Sequence, residues 1–200
     1  MKADTRVNGP WSDSKIYQGK DLPTTLWKWQ QDVMDRCKLP ADDRRVNYVF
    51  DPKGNMGKSK FVKYMAFHHQ SVMLPWGRTG DLLNLVCKLG ARDSYFFDLS
   101  RTKPQDWARD DISAAMEQIK NGYIVNLKYE TGAFFMDPPH VWCFSNQPPN
   151  MDSMSYDRWY LWTINDLHEL VRIKPGDLKR LGGHQRSRSL SPDRDVIDLE

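Results

Sequence analysis

The chain has 200 residues, a formal net charge of +3 at pH 7 and 40% hydrophobic residues, which suits one domain with a sizeable core and some extensions. So mild a charge does not announce a nucleic-acid binder, and any DNA contact has to come from basic residues placed locally. No apolar run approaches the roughly 20 residues that span a bilayer. The opening residues, Met1 to Arg6, hold no apolar signal core. Three scattered cysteines, Cys37, Cys87 and Cys143, read as buried thiols of a reducing compartment and not as a disulfide frame or a metal site. A soluble intracellular protein with no membrane partner is expected. The eight tryptophans are read mainly as packing residues.

Residues 1–22 are polar and turn-rich, with Gly9-Pro10 and Gly19, and read as a linker or arm. Tyr17-Gln18-Gly19-Lys20 has the Tyr-x-x-Lys form of a nicking motif. A nicking enzyme also needs a His-hydrophobic-His metal site upstream, and no histidine precedes His68. Tyr17 is therefore expected to be structural. Leu26, Trp29, Val33 and Cys37 recur at helical spacing after Thr24 or Thr25 as a cap. Residues 23–40 are read as a helical segment used in oligomerisation, set off by Pro40-Ala41-Asp42-Asp43.

The apolar run Val46 to Phe50 predicts a strand, and Phe61 onward predicts a helix that runs to about Gln70. Between them lies Asp51-Pro52-Lys53-Gly54-Asn55-Met56-Gly57-Lys58-Ser59-Lys60. Strand, glycine loop, Gly-Lys-Ser and helix is the phosphate-binding loop arrangement. Gly54 and Gly57 let the backbone curl with its N–H groups inward, and Asn55 and Met56 lie between them. The helix N-terminus, including Lys60, adds partial positive charge. Lys58 is expected to reach the β- and γ-phosphates of ATP, and the Ser59 hydroxyl to sit on Mg²⁺. The full pattern wants a glycine where this chain has Pro52. A bare Gly-Lys-Ser also occurs in ordinary surface turns, and the flanking strand and helix argue against that here.

Ser71 to Leu74 predicts a second strand, and Asp81 to Leu89 a short helix stopped by Gly90. Tyr95-Phe96-Phe97-Asp98-Leu99 is a third strand that ends in an acid, which is expected to hold the Mg²⁺ shell opposite Ser59. An acid that activates water often follows such a residue. Leu99 stands there instead, so no general base is assigned. Pro104 to Lys120 predicts a helix with Asp106, Asp110 and Asp111 in its first half. Trp107, Ile112, Ala115, Met116 and Ile119 form its buried face, and Gly122 stops it. Residues 123–129 and 133–136 predict a hairpin whose tip carries Lys128 and Tyr129. A plain edge hairpin with a solvated lysine remains open. His140 to Ser145 is a fourth strand leading into Asn146. That amide can hydrogen-bond an attacking water or a γ-phosphate, or merely cap the turn before Pro148-Pro149. Trp159 to Ile164 is a fifth strand. Residues 174–200 read as a disordered polar tail, with an Arg/Ser stretch that suits a nuclear address or a phosphorylation target and is best described as solvated. Strands with intervening helices imply an α/β domain on a mainly parallel sheet.

With these pieces in order, residues from about Leu22 to Ile173 resemble the helicase domain of replication initiator (Rep) proteins of circular single-stranded DNA viruses. These are superfamily 3 helicases with an AAA+-like core. Asp51 to Lys60 is similar to the family's phosphate loop, and Phe97-Asp98-Leu99-Ser100-Arg101 to its metal-binding strand. Asn121-Gly122 through Lys128-Tyr129-Glu130 is similar to its pore hairpin, Pro138-Pro139-His140-Val141 through Asn146 to its sensor strand, and Asp157-Arg158-Trp159 to the segment after it.

The resemblance implies an AAA+-like P-loop NTPase on a five-stranded, mainly parallel sheet, with an N-terminal helical segment and a β-hairpin insertion. Residues 41–173 would form the ATPase domain. It implies that Lys58 and Ser59 bind nucleotide and Mg²⁺, that Asp98 holds the metal, that Asn146 senses the γ-phosphate and that Lys128 touches single-stranded DNA. Arg158 is the candidate arginine finger, given to a neighbour in a homo-oligomeric ring of six. The implied activity is a 3′-to-5′ ATP-dependent DNA helicase of viral rolling-circle replication in the host nucleus, on a chain without the family's nicking domain. Two other classes fit the motifs. One is a P-loop kinase of a small metabolite. The other is a non-catalytic module that takes nucleotide in order to assemble.

Overall fold

The computed structural model describes residues 17–99, 106–126 and 132–182, and the side chains of residues 106–108 and 126 are outside that description. The described elements run α1 (Lys28–Cys37), β1 (Val46–Phe50), α2 (Lys58–His68), β2 (Val72–Leu74), α3 (Thr79–Leu89), β3 (Ser94–Leu99), α4 (Asp106–Lys120), β4 (Tyr123–Asn126), β5 (Gly132–Phe135), β6 (His140–Ser145), β7 (Trp159–Ile164), β8 (Leu170–Arg172) and α5 (Asp177–Gly182).

A six-stranded sheet of order β2-β3-β6-β1-β7-β8 forms the centre. Its first five strands are parallel, and β8 pairs antiparallel with β7 at the edge. The expected α/β class and the five parallel strands are therefore present, with one more strand added. Leu170–Arg172 is too short to carry a readable alternation.

Both faces of the sheet are covered, which is why its strands read as nearly continuous apolar runs. Tyr95, Phe97 and Leu99 of β3 and Val141 and Cys143 of β6 pack with Leu82, Leu83 and Val86 of α3 and Ile112, Met116 and Ile119 of α4. Phe96, Trp142 and Phe144 point the other way, into a cluster with Trp29 and Val33 of α1 and Phe61, Val62 and Met65 of α2. The alternation along each strand thus assigns α1 and α2 to one face and α3 and α4 to the other.

Three expectations change in detail. α1 starts at Lys28, later than the Thr24 or Thr25 cap, because the Trp27 N–H is already taken by Gln30 Oε1 at 2.9 Å. Its apolar residues Trp29 and Val33 are fully buried within the chain, so the apolar face of the expected oligomerisation segment is used internally. Within 174–200, α5 forms over Asp177–Gly182 with Leu178 buried against the core. Residues 183–200, residues 1–16 and the hairpin tip at Lys128 and Tyr129 lie outside the described residues. The end of the expected arm is placed. Leu22 is buried, and Tyr17 packs edge-on against Phe67 of α2 at 5.4 Å between centroids.

Candidate functional site

β1 ends at Phe50 and α2 begins at Lys58, and the loop between them curls because three of its residues are left-handed. Gly54 has φ 72°, Asn55 φ 63° and Gly57 φ 65°. Such a run turns backbone N–H groups to one side as a nest for an anion, and Asn is among the few non-glycine residues that accept it. Gly57 is the N-cap of α2 and makes no side-chain cap bond. The first amides of an 11-residue helix therefore face the loop with no acceptor from the cap, and the helix dipole adds to their pull on an anion.

The loop is organised by a residue the sequence did not single out. Asp51 is 1% exposed. Its Oδ1 accepts the Gly54 N–H at 3.0 Å, and its Oδ2 accepts Lys58 Nζ at 2.5 Å. Its backbone N–H donates to Ser145 O at 2.9 Å, and its backbone O accepts Asn146 Nδ2 at 2.6 Å. One carboxylate thus fills the place an external anion would take at Lys58, and the same residue fastens the loop to the end of β6. The only hint in the sequence was an acid immediately after a buried strand.

Asn146 is therefore brought directly to the loop. Asp98 lies one strand further out. In register, Asp98 stands beside Phe144 and Leu99 beside Ser145 on β6, while Ser145 stands beside Phe50 on β1. Phe96 packs on the α2 face, so Asp98, two residues on, belongs to that same face of the sheet. Gly54, Lys58 and Asn146 are thus joined through Asp51 where β1 and β6 end, Gly57 and Ser59 flank Lys58 at the start of α2, and Asp98 lies at the C-terminal end of β3. Ser59 and Lys60 are exposed in the first turn of α2, and Met56 packs at the edge of the α2-side core. Leu99 is 4% exposed within the opposite core and supplies no base. Of the three cysteines expected to be buried, Cys143 is, while Cys37 and Cys87 are partly buried; burial pushes the Cys143 thiol well above its usual value, the Cys37 thiol up to about 12 and the Cys87 thiol upward, which suits packing residues.

Arg158 is not brought to the loop. β7 runs parallel to β1 with Trp159 level with Val46, which puts Arg158 at the far end of the sheet. Its side chain is buried, with Nε 3.0 Å from Glu117 Oε1 and Nη2 donating to Asn121 Oδ1 at 3.0 Å. The finger expectation thus meets a guanidinium turned into its own chain. On the other side of the loop, the start of α1 comes close. A Cβ built on Gly57 would stand 3.2 Å from Gln30 Nε2 and 3.6 Å from the Trp27 ring. The helical periodicity of α1 gave no sign of this contact.

The residues present suit a phosphate group, since a left-handed nest, a helix start and a lysine already holding a carboxylate make a cradle for an anion. Ser59 and Asp98 supply oxygen donors of the kind Mg²⁺ takes.

No protein-family model matches the chain. It is 27% identical over 202 aligned positions to Para-Rep C3 of Milk vetch dwarf C3 alphasatellite, covering 79% of this chain and 69% of that protein. It is 33% identical over 135 positions to Para-Rep C6 of Subterranean clover stunt C6 alphasatellite, covering 66% of this chain and 46% of that protein. The Master replication protein of Milk vetch dwarf virus (isolate N) is 26% identical over 136 positions, covering 66% of this chain and 45% of that protein. The chain spans about half the length of the latter two relatives. It is related to the Rep proteins of alphasatellites and of viruses of this kind.

Proposed function

We propose, on the premise of this kinship with Rep proteins, that the chain is an ATP-dependent DNA helicase or translocase acting in viral rolling-circle replication. One observation carries the proposal: Lys58, Asp51 and Asn146 form a single hydrogen-bonded unit joining the glycine loop to β6. β6 lies between the loop strand β1 and the acid strand β3, so an amide stands between the phosphate grip and the candidate metal acid. That order supports an AAA+-like P-loop core.

In this reading the amides of Gly54 to Lys60 wrap the phosphates. Lys58 exchanges the Asp51 carboxylate for the β- and γ-phosphates. Asn146 holds the attacking water or the γ-phosphate. Ser59 and Asp98 would hold Mg²⁺, which when bound neutralises charge on the phosphates. Lys128, on the hairpin tip, contacts the DNA backbone with little sequence preference. Assembly into a homo-oligomeric ring is the part of the proposal that rests on the family resemblance.

The test is single-stranded-DNA-stimulated ATP hydrolysis by the parent and two variants. Lys58→Ala is expected to abolish it. Because that change leaves Asp51 buried without its partner, the pair Asp51→Asn with Lys58→Met removes both charges at similar volume and keeps the fold intact. Hydrolysis at the parent rate in this folded double variant would remove the phosphate-loop assignment. Leu99 favours a second reading, a module that takes nucleotide in order to assemble and does not turn it over. That reading predicts a nucleotide-dependent increase in mass with no DNA-stimulated hydrolysis.

A further inference from the structure

Beside the phosphate loop lies an aromatic surface that hydrolysis does not use. Trp27 is 40% exposed, whereas Trp29 is fully buried. The Trp27 indole lies against the loop: a Cβ on Gly57 would stand 3.6 Å from its Cζ3 and 3.9 Å from its Cη2. His168 packs beside it at a tilt of 57°, with ring centroids 4.1 Å apart.

Both rings are fixed through their backbones. The Trp27 carbonyl accepts the N–H groups of Gln30 and Gln31 at 3.0 Å each, and Gln30 returns the bond to the Trp27 N–H. His168 sits in the turn after β7 with φ 58°. Its N–H donates to Asn165 O at 3.0 Å, and its carbonyl accepts the Trp29 N–H at 2.9 Å. Lys53 of the phosphate loop pairs with Asp166 of that turn at 2.6 Å, and Lys28 of α1 pairs with Glu169 at 2.5 Å. Loop, α1 start and turn therefore hold one arrangement, with an indole open to solvent next to the anion nest.

We propose that Trp27, with His168 at its side, is a stacking platform for the base of a nucleoside triphosphate whose phosphates lie in the glycine loop. This rests on the nucleotide reading of that loop. An exposed indole on a fixed backbone gains from being covered by a flat heterocycle, and it loses little side-chain entropy when that happens. Stacking also tolerates any base, because each has a π-face. ATP and GTP are accordingly expected to bind alike, and CTP less tightly because its ring is smaller.

Calorimetric titration of ATP, GTP and inorganic tripolyphosphate into the parent, Trp27→Ala, Trp27→Phe and Lys58→Ala tests the platform. Trp27→Ala is expected to weaken ATP and GTP roughly tenfold, as loss of one stacked base does, and to leave tripolyphosphate unchanged. Trp27→Phe is expected to recover most of the loss. An ATP affinity untouched by Trp27→Ala would overturn the platform. So would an equal loss for tripolyphosphate, which would make the indole a prop for Gly57. Lys58→Ala is expected to weaken ATP and tripolyphosphate together. Parent-like binding of both in that variant would count against the phosphate reading alone, because the difference between ATP and tripolyphosphate at Trp27 is measured separately.

Discussion

Asp51 holds the Lys58 ammonium and the Gly54 amide with one buried carboxylate, so in the proposed reading Asp51 and a phosphate compete for the same lysine. Breaking a buried pair from one side costs about 3–5 kcal/mol, because the remaining charge has no partner. Asp51→Asn is therefore expected to lower stability without nucleotide by about 3 kcal/mol in urea denaturation. A ligand that then supplies the missing negative charge should raise the thermal midpoint further above the unliganded value than it does in the parent. Equal shifts in the two proteins would mean that Lys58 never leaves Asp51. Lys120 makes the opposite case, a buried cation with no carboxylate in hydrogen-bond contact among the described residues. It is 1% exposed, and its Nζ donates to Pro139 O at 2.7 Å. Burial pushes its pKa down to about 8, against a partial pull upward from Asp42 and Asp43. An unfolded lysine titrates near 10.4, so between those two values the unfolded chain holds the extra proton and stability rises with pH. The gain is complete above about pH 10.4 and gone once pH has fallen through about 8, a difference on the order of 3 kcal/mol. Lys120→Met should flatten that rise in urea midpoints measured across the window. Neither residue was legible as a site. Lys120 reads as an ordinary last-turn cation, and Asp51 as the end of a strand.

The β4–β5 hairpin shows how much an element's place depends on one backbone conformation. Gly122 has φ 69°, and its carbonyl accepts the Met136 N–H at 2.9 Å. A Cβ there would stand 2.2 Å from the Met136 carbonyl oxygen. Gly122→Ala therefore combines left-handed strain with a backbone clash and is expected to cost about 2–3 kcal/mol in denaturant unfolding. Beyond that turn, Tyr123 pairs with Phe135 across the strands at 4.7 Å. That pairing fixes the register of the two strands. Lys128→Ala is expected to keep basal ATP hydrolysis and lose strand separation, read in parallel by phosphate release and by a duplex-unwinding assay. Unchanged unwinding would remove the DNA contact from that side chain. The hairpin was legible because its two apolar runs alternate around Thr131-Gly132, and the loop because Gly-Lys-Ser falls between a strand and a helix. Elements whose limits depend on distant partners were not legible. α1 starts where Gln30 closes on Trp27. β8 is a strand only because Arg172 and Leu170 meet Trp162 and Ile164.

At the scale of the whole molecule, the two apolar faces of the sheet are both covered within one chain, so the fold does not depend on a neighbour for its core. In the proposed ring, a residue offered to a neighbouring subunit has to be free to reach it. Arg158 is not. Its guanidinium lies between Glu117 and Asn121 at the end of α4 and ties that helix to the start of β7. Asp157 beside it is paired with Arg44, which adds to the fastening. Motif order in the sequence could place Arg158 after the sensor strand, but it could not show that the side chain turns inward. A residue that fastens two elements and a residue that acts on a neighbour's nucleotide behave differently in mixed assemblies. Arg158→Ala is expected to lower stability by about 1–2 kcal/mol, mainly through the lost buried side chain, because Glu117 is partly open to solvent. Where it stays folded, Arg158→Ala alone is expected to hydrolyse ATP at the parent rate, and mixing it with Lys58→Ala subunits is expected only to dilute that rate in proportion. A finger donated in trans would instead leave Arg158→Ala inactive alone and restore hydrolysis in the mixture, since a variant subunit's site would then receive its finger from a Lys58→Ala neighbour. Such recovery would require Arg158 to leave Glu117 on assembly, and Glu117→Gln, which loosens that hold, should then speed hydrolysis and not merely destabilise the fold.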